Sequence, residues 1–208
     1  MALYEALSMK SNQTYTSCYC EENVWKLCEK IQNTMGLNGL LREGKAFAVF
    51  ISNDNRTIPL WHQSSGDETK EGLVIWDYHV ILVIKENPKS MVFDLDTRLP
   101  YPSSFNEYSR HTFSKHEEEN MREQFHRKFR VIPIREFLEN FASDRSHMKD
   151  CNGDWIKPPP EYPCIKTKKN TNNIQSFISM ENGWGKVMSL ETFNETFCKE
   201  SREGYAQQ

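Results

Sequence analysis

The feature that most restricts the fold is a pair of neighbouring apolar runs near the middle of the chain, at residues 73–84 and 91–95. Their length and their content of Val, Ile and Leu predict two strands, over residues 73–85 and 90–96. Turn-forming residues, Glu86-Asn-Pro-Lys89, separate them. We therefore expect an antiparallel hairpin within a β-rich block.

An amphipathic helix is predicted upstream of this block, over residues 21–34. Its apolar residues recur at i, i+3, i+4 and i+7 and so share one face: Val24, Leu27, Cys28 and Ile31. Thr16 or Ser17 is expected to cap its start, and Glu21 and Glu22 occupy its first turn. Glycines at positions 36 and 39 are expected to end it.

The remaining segments complete an α+β pattern. Strands are predicted at residues 46–52 and 57–61, on either side of a hairpin turn at Asn53-Asp-Asn-Arg56, and at residues 128–134. Helices are predicted near residues 103–112, 116–126, 134–142 and 189–199. The proline-rich run 158–163 is expected to be an extended loop fixed over the core. The fold class is therefore a single compact α+β domain over residues 16–199, an antiparallel sheet packed with helices, between flexible tails at residues 1–15 and 200–208.

Charge and composition argue against several functional classes. The 26 Lys and Arg residues against 29 Asp and Glu residues give a net charge of −3, without the basic excess of a general nucleic-acid binder. No apolar run reaches the roughly 18–20 residues that span a bilayer, and no signal-peptide pattern is present. Cys18-x-Cys20 has no second pair, and the histidines lack ligand spacing. We expect a monomeric cytoplasmic or nuclear protein with reduced thiols, no metal and no membrane or nucleic-acid partner.

A histidine inside the first apolar run is the main candidate for chemistry. Strand alternation predicts that Asp77 and His79 share one face, while Trp76 and Tyr78 anchor the strand on the other. A carboxylate beside a buried histidine holds one tautomer and raises its basicity. The common alternative is a purely structural His–Asp pair.

Two acids on the second strand are within reach of His79, and the hairpin loop length decides between them. A two-residue loop sets His79 opposite Asp96, and a four-residue loop sets it opposite Asp94. Directly opposed Cβ atoms lie about 5 Å apart and diagonal ones about 7–8 Å. Either acid reaches the imidazole, so the pattern leaves both open.

Two cysteines lie at the start of the predicted helix, where unpaired backbone N–H groups stabilise a thiolate and can bind an oxyanion. Cys20 is expected in the first turn and Cys18 just before it, which makes Cys20 the better nucleophile. Cys28 fits the buried face as a small hydrophobe. Cysteine, histidine and aspartate are the parts of a thiol-nucleophile site.

Several longer motifs make a family resemblance specific. They are Ser17-Cys-Tyr-Cys-Glu-Glu-Asn23, Trp76-Asp-Tyr-His-Val80, Asp94-Leu-Asp-Thr97, Asn140-Phe-Ala-Ser-Asp-Arg-Ser-His-Met-Lys-Asp150 and Gly183-Trp-Gly185. Together they resemble the protein N-terminal glutamine amidohydrolase family, over residues 15–198. The resemblance implies a papain-like and transglutaminase-like cysteine hydrolase architecture. It also implies a triad of Cys20, His79 and Asp94, which settles the choice between the two acids.

The resemblance implies hydrolytic deamidation of an N-terminal glutamine to glutamate through a thioester, without a cofactor, as a step in N-end-rule degradation. The partners would be proteins or peptides with a free N-terminal Gln. Their α-ammonium must be recognised, and Asp77 is the substrate-binding candidate because it shares the face of His79. Other readings are a thiol protease, a transglutaminase-like acyl transferase, and a non-catalytic adaptor that uses the proline-rich run.

Overall fold

The computed structural model of the chain describes residues 6–35, 45–85, 89–113 and 120–198. The strands in this part of the chain are β1 (Ala46–Ser52), β2 (Ile58–Leu60), β3 (Val74–Trp76), β4 (His79–Lys85), β5 (Ser90–Phe93), β6 (Ser103–Ser104), β7 (Lys128–Pro133) and β8 (Lys186–Ser189). The α-helices are α1 (Cys20–Met35), α2 (Phe105–Tyr108), α3 (Ile134–Asn140), α4 (Ile174–Ile178) and α5 (Leu190–Phe197). A π-helical turn, Ser109–Phe113, extends α2.

Six of these strands form one antiparallel sheet in the order β6-β5-β4-β1-β7-β8, and β2 and β3 form a separate two-stranded sheet. The centre of the large sheet is the β1–β4 pair, which runs from Ala46 opposite Ile84 to Ile51 opposite His79. The fold is thus a single compact α+β domain with an antiparallel sheet packed by helices, as predicted. Among the described helices, none is long and apolar enough to cross a membrane.

Both faces of the large sheet are buried. Alternation along β4 sends Val80 and Leu82 into a core shared with α1, α3 and α4. Ile81 and Val83 point the opposite way, into a second core that α2 and α5 cover. Because strands buried on both faces read as continuous apolar runs, this double burial explains the unbroken hydrophobicity of residues 80–84.

The predicted strand at residues 73–85 is two strands, because the extended conformation is interrupted at Asp77 and Tyr78. Oδ1 of Asp77 accepts a hydrogen bond of 2.9 Å from the Tyr78 amide. The Asp77 carbonyl accepts another, of 2.7 Å, from the hydroxyl of Ser52. These contacts divert backbone groups from a sheet ladder, so β3 and β4 join different sheets.

The hairpin predicted around residues 53–56 is wrong, although the turn is present. The Arg56 amide donates to the Asn53 carbonyl at 3.1 Å, but β1 pairs with β4 and β7 while β2 pairs with β3. The side-chain amide of Asn53 donates to the carbonyls of Thr57, Gln124 and His126. These bonds tie the turn to the segment before β7 instead of closing a hairpin.

Residues 6–15 pack against the domain, although the sequence pattern placed residues 1–15 in a mobile tail. Leu7 is fully buried in the core beneath α1. The Lys10 ammonium donates to the Thr97 carbonyl at 2.9 Å, and the Tyr15 hydroxyl donates to Asp96 at 2.6 Å. One apolar residue and a few polar contacts are too weak a pattern to detect in a polar sequence.

The other predicted elements are close to those observed. Helix α1 extends the predicted helix by one residue at each end, and β7, α3 and α5 lie within their predicted segments. Residues 120–126 contain a short 3-10 turn, Glu123–Phe125, where a helix was predicted. The expected helix end at residues 36–39, the loop at residues 86–88 and the tail at residues 200–208 lie outside the described residues.

Candidate active site

A buried His–Asp pair lies at one end of the large sheet. His79 is the first residue of β4 and Asp94 directly follows β5, so the two antiparallel strands bring them together. Nε2 of His79 lies 3.0 Å from Oδ1 of Asp94, and neither side chain is exposed. The predicted proximity of the histidine to an acid is confirmed.

The pairing of β4 with β5 sets Lys85 opposite Ser90 and Leu82 opposite Phe93. Continued further, this register would set His79 opposite Asp96, as expected for the two-residue loop. The ladder ends at Phe93, however, and the Asp96 amide donates to Oδ1 of Asp94 at 2.9 Å. This turn places the diagonal acid, Asp94, against the imidazole.

The carboxylate of Asp94 is held from several sides. Its Oδ2 accepts a hydrogen bond of 2.7 Å from the Tyr108 hydroxyl and a longer one, of 3.5 Å, from the Gln63 amide. Burial by itself raises the pKa of Asp94, but the charge of His79 and the hydrogen bonds outweigh it and leave the pKa below its usual value. Asp94 is therefore an ionised acceptor for the imidazole.

The imidazole of His79 is fixed in orientation. The Trp76 ring stacks on it at a centroid distance of 5.4 Å and an interplanar angle of 20°. This corrects the prediction that Trp76 lies on the opposite face, because the break at residues 77–78 removes strict alternation. Burial lowers the pKa of His79, but the charge of Asp94 and its hydrogen bond raise it above the usual value overall. Nδ1 is buried and makes no hydrogen bond within the described residues.

Cys20 is the first residue of α1, as predicted, and only 8 % of it is exposed. The backbone amide of Val80, the residue after His79, is close enough to lower the pKa of the Cys20 thiol. Sγ also lies 3.7 Å from Oε2 of Glu21, to which it can donate. The sulfur therefore lies at the beginning of β4, where the imidazole is attached.

The thiol of Cys20 does not have the low pKa that its position at a helix start predicts. Burial raises the pKa well above its ordinary value, and the charges of Glu21 and Asp96 raise it further. The nearby Val80 amide lowers the pKa by less. The free protein therefore carries a neutral thiol at this position. Cys18 is half-buried in a left-handed backbone conformation, with φ of 68°, just before the helix.

A second polar cluster adjoins the sulfur. Oε2 of Glu21 accepts a hydrogen bond of 2.9 Å from the Tyr78 hydroxyl, and Oε1 lies 3.5 Å from Nε2 of His147. Burial lowers the pKa of His147, but the hydrogen bond and charge of Glu21 raise it overall. Glu21 is fully buried. The sequence could have predicted this burial, because Glu21 lies three residues before Val24 and so shares the buried face of α1.

The neighbouring acid, Glu22, is also fully buried and forms a bidentate ion pair with Arg145. Both N–O distances are 2.8 Å. The same guanidinium donates to the Pro160 carbonyl at 3.1 Å and lies 5.1 Å from the Tyr162 ring centroid. These contacts fix the proline-rich segment to the start of α1 and so confirm that it is a loop over the core.

Asp77 is exposed, and its Oδ1 already accepts from the Tyr78 amide. It is close enough for its charge to raise the pKa of Cys20 slightly, which places it at the edge of the site. Asp144, in an exposed loop, accepts hydrogen bonds from the Ser146 amide and the Asn172 side chain, which engage its Oδ1. Tyr108 was missed because the predicted helix near residues 103–112 does not indicate which distant residue its side chains reach.

One group of side chains has the composition of a metal site. Ligand atoms of His79, Asp94 and Asp96 lie within 4.8 Å of one another. Nε2 of His79 and Oδ1 of Asp94 are, however, hydrogen-bonded directly to each other, and Oδ1 of Asp96 accepts a hydrogen bond from the Tyr15 hydroxyl. These side chains are committed to one another and do not form an open coordination site.

A cysteine at the start of a helix that packs on β4, the strand that begins with the histidine of a buried His–Asp pair, has the components of the class of site that performs thiol-nucleophile chemistry on acyl groups. Residues 15–197 match the family model described as N-terminal glutamine amidase. The chain belongs to this family of amidohydrolases.

Curated relatives carry the name protein N-terminal glutamine amidohydrolase. The Danio rerio protein is 48% identical over 201 residues, which cover 93% of this chain and 94% of that protein. The Bos taurus protein is 47% identical over 190 residues, which cover 90% of this chain and 88% of that protein. The Homo sapiens protein is 46% identical over 186 residues, which cover 88% of this chain and 87% of that protein. The similarity therefore extends over nearly the full length of each relative.

Proposed function

We propose that this chain hydrolyses the side-chain carboxamide of an N-terminal glutamine in proteins and peptides, producing glutamate and ammonia. Cys20 is the nucleophile, His79 the base and Asp94 the acid that orients it. The observation that carries this proposal is the buried 3.0 Å His79–Asp94 pair, with a cysteine at the start of the helix that packs on β4, in a chain of this family.

The pair supplies a base in the required tautomer. Ionised Asp94 accepts the Nε2 proton of His79, which leaves the lone pair of Nδ1 as the proton acceptor. That nitrogen is buried and makes no hydrogen bond within the described part of the chain. The stacked indole of Trp76 restricts rotation of the ring. These contacts support a catalytic role over a purely structural pair.

The reaction proceeds in two acyl-transfer steps. His79 removes the thiol proton as Sγ attacks the carboxamide carbon, and it then protonates the departing nitrogen, which leaves as ammonia. The resulting thioester is attacked by water, whose proton passes to His79. The C–S bond then breaks to release glutamate, and His79 returns its proton to the sulfur, which restores the thiol. Since the pKa of Cys20 is raised, proton transfer during attack is favoured over a resting thiolate–imidazolium pair.

The helix start contributes to the same chemistry. Backbone N–H groups of the first turn of α1 are unpaired within the helix and are suited to an oxyanion. A helix that begins with the nucleophile and packs on an antiparallel sheet whose strand begins with the base supports a papain-like and transglutaminase-like architecture. We further propose that the protein acts as a monomer in the cytoplasm or nucleus, in the N-end-rule pathway.

The test is a deamidation assay on peptides that begin with Gln, Asn or acetyl-Gln. Ammonia release and conversion of the amide to an acid on the Gln peptide alone are expected. Backbone cleavage would indicate a protease, and incorporation of an added amine would indicate an acyl transferase. Cys20→Ala should abolish turnover, while Cys18→Ala, the matched control, should stay within a few-fold of the parent protein. Turnover that survives in Cys20→Ala would reject the proposed nucleophile.

A further inference from the structure

Glu21 is a buried carboxylate directly beside the proposed nucleophile, and the mechanism above does not use it. Its Oε2 lies 3.7 Å from Sγ of Cys20 and accepts from Tyr78. Within the described residues, its Oε1 is partnered by Nε2 of His147 alone, at the long distance of 3.5 Å. Burying a carboxylate is costly unless its oxygens are well satisfied, so a buried carboxylate next to the reacting atom, with one oxygen held only by a long contact, is suited to a cationic ligand.

We propose that Glu21 binds the α-ammonium of the substrate's first residue and thereby restricts the reaction to N-terminal glutamine. The inference rests on the proposed function. It assigns the recognition of the free amino group to a residue of α1 instead of to Asp77.

The dimensions of a glutamine residue fit this assignment. Four bonds separate the α-nitrogen from the carboxamide carbon, so the two atoms are at most about 5 Å apart. In a reactive complex the carbon lies about 3–3.5 Å from the attacking sulfur. A carboxylate oxygen 3.7 Å from that sulfur is therefore within hydrogen-bonding reach of the ammonium when the substrate side chain folds back.

The surrounding charges favour a cation. Glu21, Asp96 and Asp77 are each close enough to raise the pKa of the Cys20 thiol, so the site carries negative potential. That potential opposes a resting thiolate and attracts a positively charged amino group. An acetylated or internal glutamine lacks this charge. It gives the buried Glu21 carboxylate no ion pair, so it binds less well than a substrate with a free amino group.

Two neighbouring groups bear on the assignment. His147 faces Oε1 at 3.5 Å, and its side chain is 17% exposed, so an ammonium can share the carboxylate with it or displace it toward solvent. Asp77 fits the role less well, because it is exposed and one of its oxygens is bonded to the Tyr78 amide. An exposed carboxylate gains less from an ion pair than a buried one.

The experiment compares two peptides of equal sequence, one with an N-terminal glutamine and one in which its α-amino group is replaced by hydrogen. The parent protein should deamidate the amino peptide with a kcat/KM about 10- to 100-fold higher, as expected for one charge-assisted hydrogen bond. In Glu21→Gln, which keeps an acceptor for Tyr78, this ratio should fall toward one. Glu21→Asp keeps the charge, so its ratio of kcat/KM between the two peptides should lie between those of Glu21→Gln and the parent protein.

Glu29→Gln is the matched control, since Glu29 lies on the same helix and is partly exposed beside Lys26. The ratio should not change in this variant. Equal losses on both peptides in Glu21→Gln would overturn the inference, because they would show that Glu21 serves the carboxamide or the fold. A ratio that collapses in Asp77→Asn instead would overturn it as well. Absence of deamidation in the parent protein would reject the proposed function itself, which separates the two failures.

Discussion

The hydroxyl of Tyr108 donates a 2.7 Å hydrogen bond to Oδ2 of Asp94, whose other oxygen binds His79. Both partners of this bond are buried. The contact lowers the pKa of Asp94 and limits rotation of its carboxylate. Tyr108 thus connects the second core of the protein to the candidate active site.

Tyr108→Phe should lower both turnover and stability. It removes one hydrogen bond to a charged, buried acceptor, which costs about 1–3 kcal/mol. We expect kcat/KM to fall about tenfold, with a parallel loss in the free energy of unfolding measured with urea. Unchanged turnover and stability would show that Gln63 and the Asp96 amide are sufficient to hold the carboxylate.

The pH dependence of turnover should report His79. Only the neutral imidazole accepts a proton, so kcat/KM should fall as the pH drops through the pKa of His79, which Asp94 holds above its usual value. Asp94→Asn removes that charge, and burial then lowers the pKa. The acid limb of the profile should move to lower pH while overall turnover drops by orders of magnitude.

The matched comparison for this profile is Asp77→Asn, which removes a nearby exposed charge without touching the imidazole. An acid limb that stays in place in Asp94→Asn would mean that another group controls it. A limb that moves equally in both variants would assign the effect to general electrostatics.

The ion pair of Glu22 and Arg145 should be important for stability. Arg145→Met leaves a fully buried carboxylate without its partner, and we expect a loss of about 3–5 kcal/mol in the free energy of unfolding. A double variant with Glu22→Leu should regain much of it. Arg135→Met breaks an exposed pair with Glu139 and serves as the control, with an expected change below about 1 kcal/mol. Similar losses in both single variants would contradict this reading.

The packing of residues 6–15 can be tested at Leu7. Leu7→Ala removes a fully buried side chain from the core and should cost about 2–5 kcal/mol of unfolding free energy. Met9→Ala, at a side chain that is 56% exposed, should change it by less than about 0.5 kcal/mol. Equal small effects would support the mobile tail that the sequence pattern predicts.

Local patterns were sufficient to predict the elements on which the site is built. The apolar spacing of Val24, Leu27, Cys28 and Ile31 predicted α1, and with it the place of Cys20 at a helix start. Continuous apolar runs predicted β4 and β5, and hence an acid beside His79. These features depend on the burial of neighbouring residues along one element, which the spacing of side chains records directly.

Contacts between distant segments depend on where strands end and how loops fold back. The spacing of apolar residues along the sequence does not predict either. The register would place His79 opposite Asp96, and only the end of the ladder at Phe93 brings Asp94 to the imidazole. The break at Asp77 and Tyr78 is likewise a long-range effect, because Ser52 holds the Asp77 carbonyl. It allows Trp76 to stack on a histidine that alternation placed on the opposite face.

The sequence by itself thus determined an α+β fold with a cysteine at a helix start and a histidine near an acid. Only the tertiary structure showed how Asp94 comes to bind the imidazole, and that Glu21 and Glu22 are buried partners of His147 and Arg145. It also reversed the expected low pKa of the Cys20 thiol. The physical reason is desolvation, since the energy of a charge depends on which distant groups exclude water from it, and that is fixed only when the chain has packed.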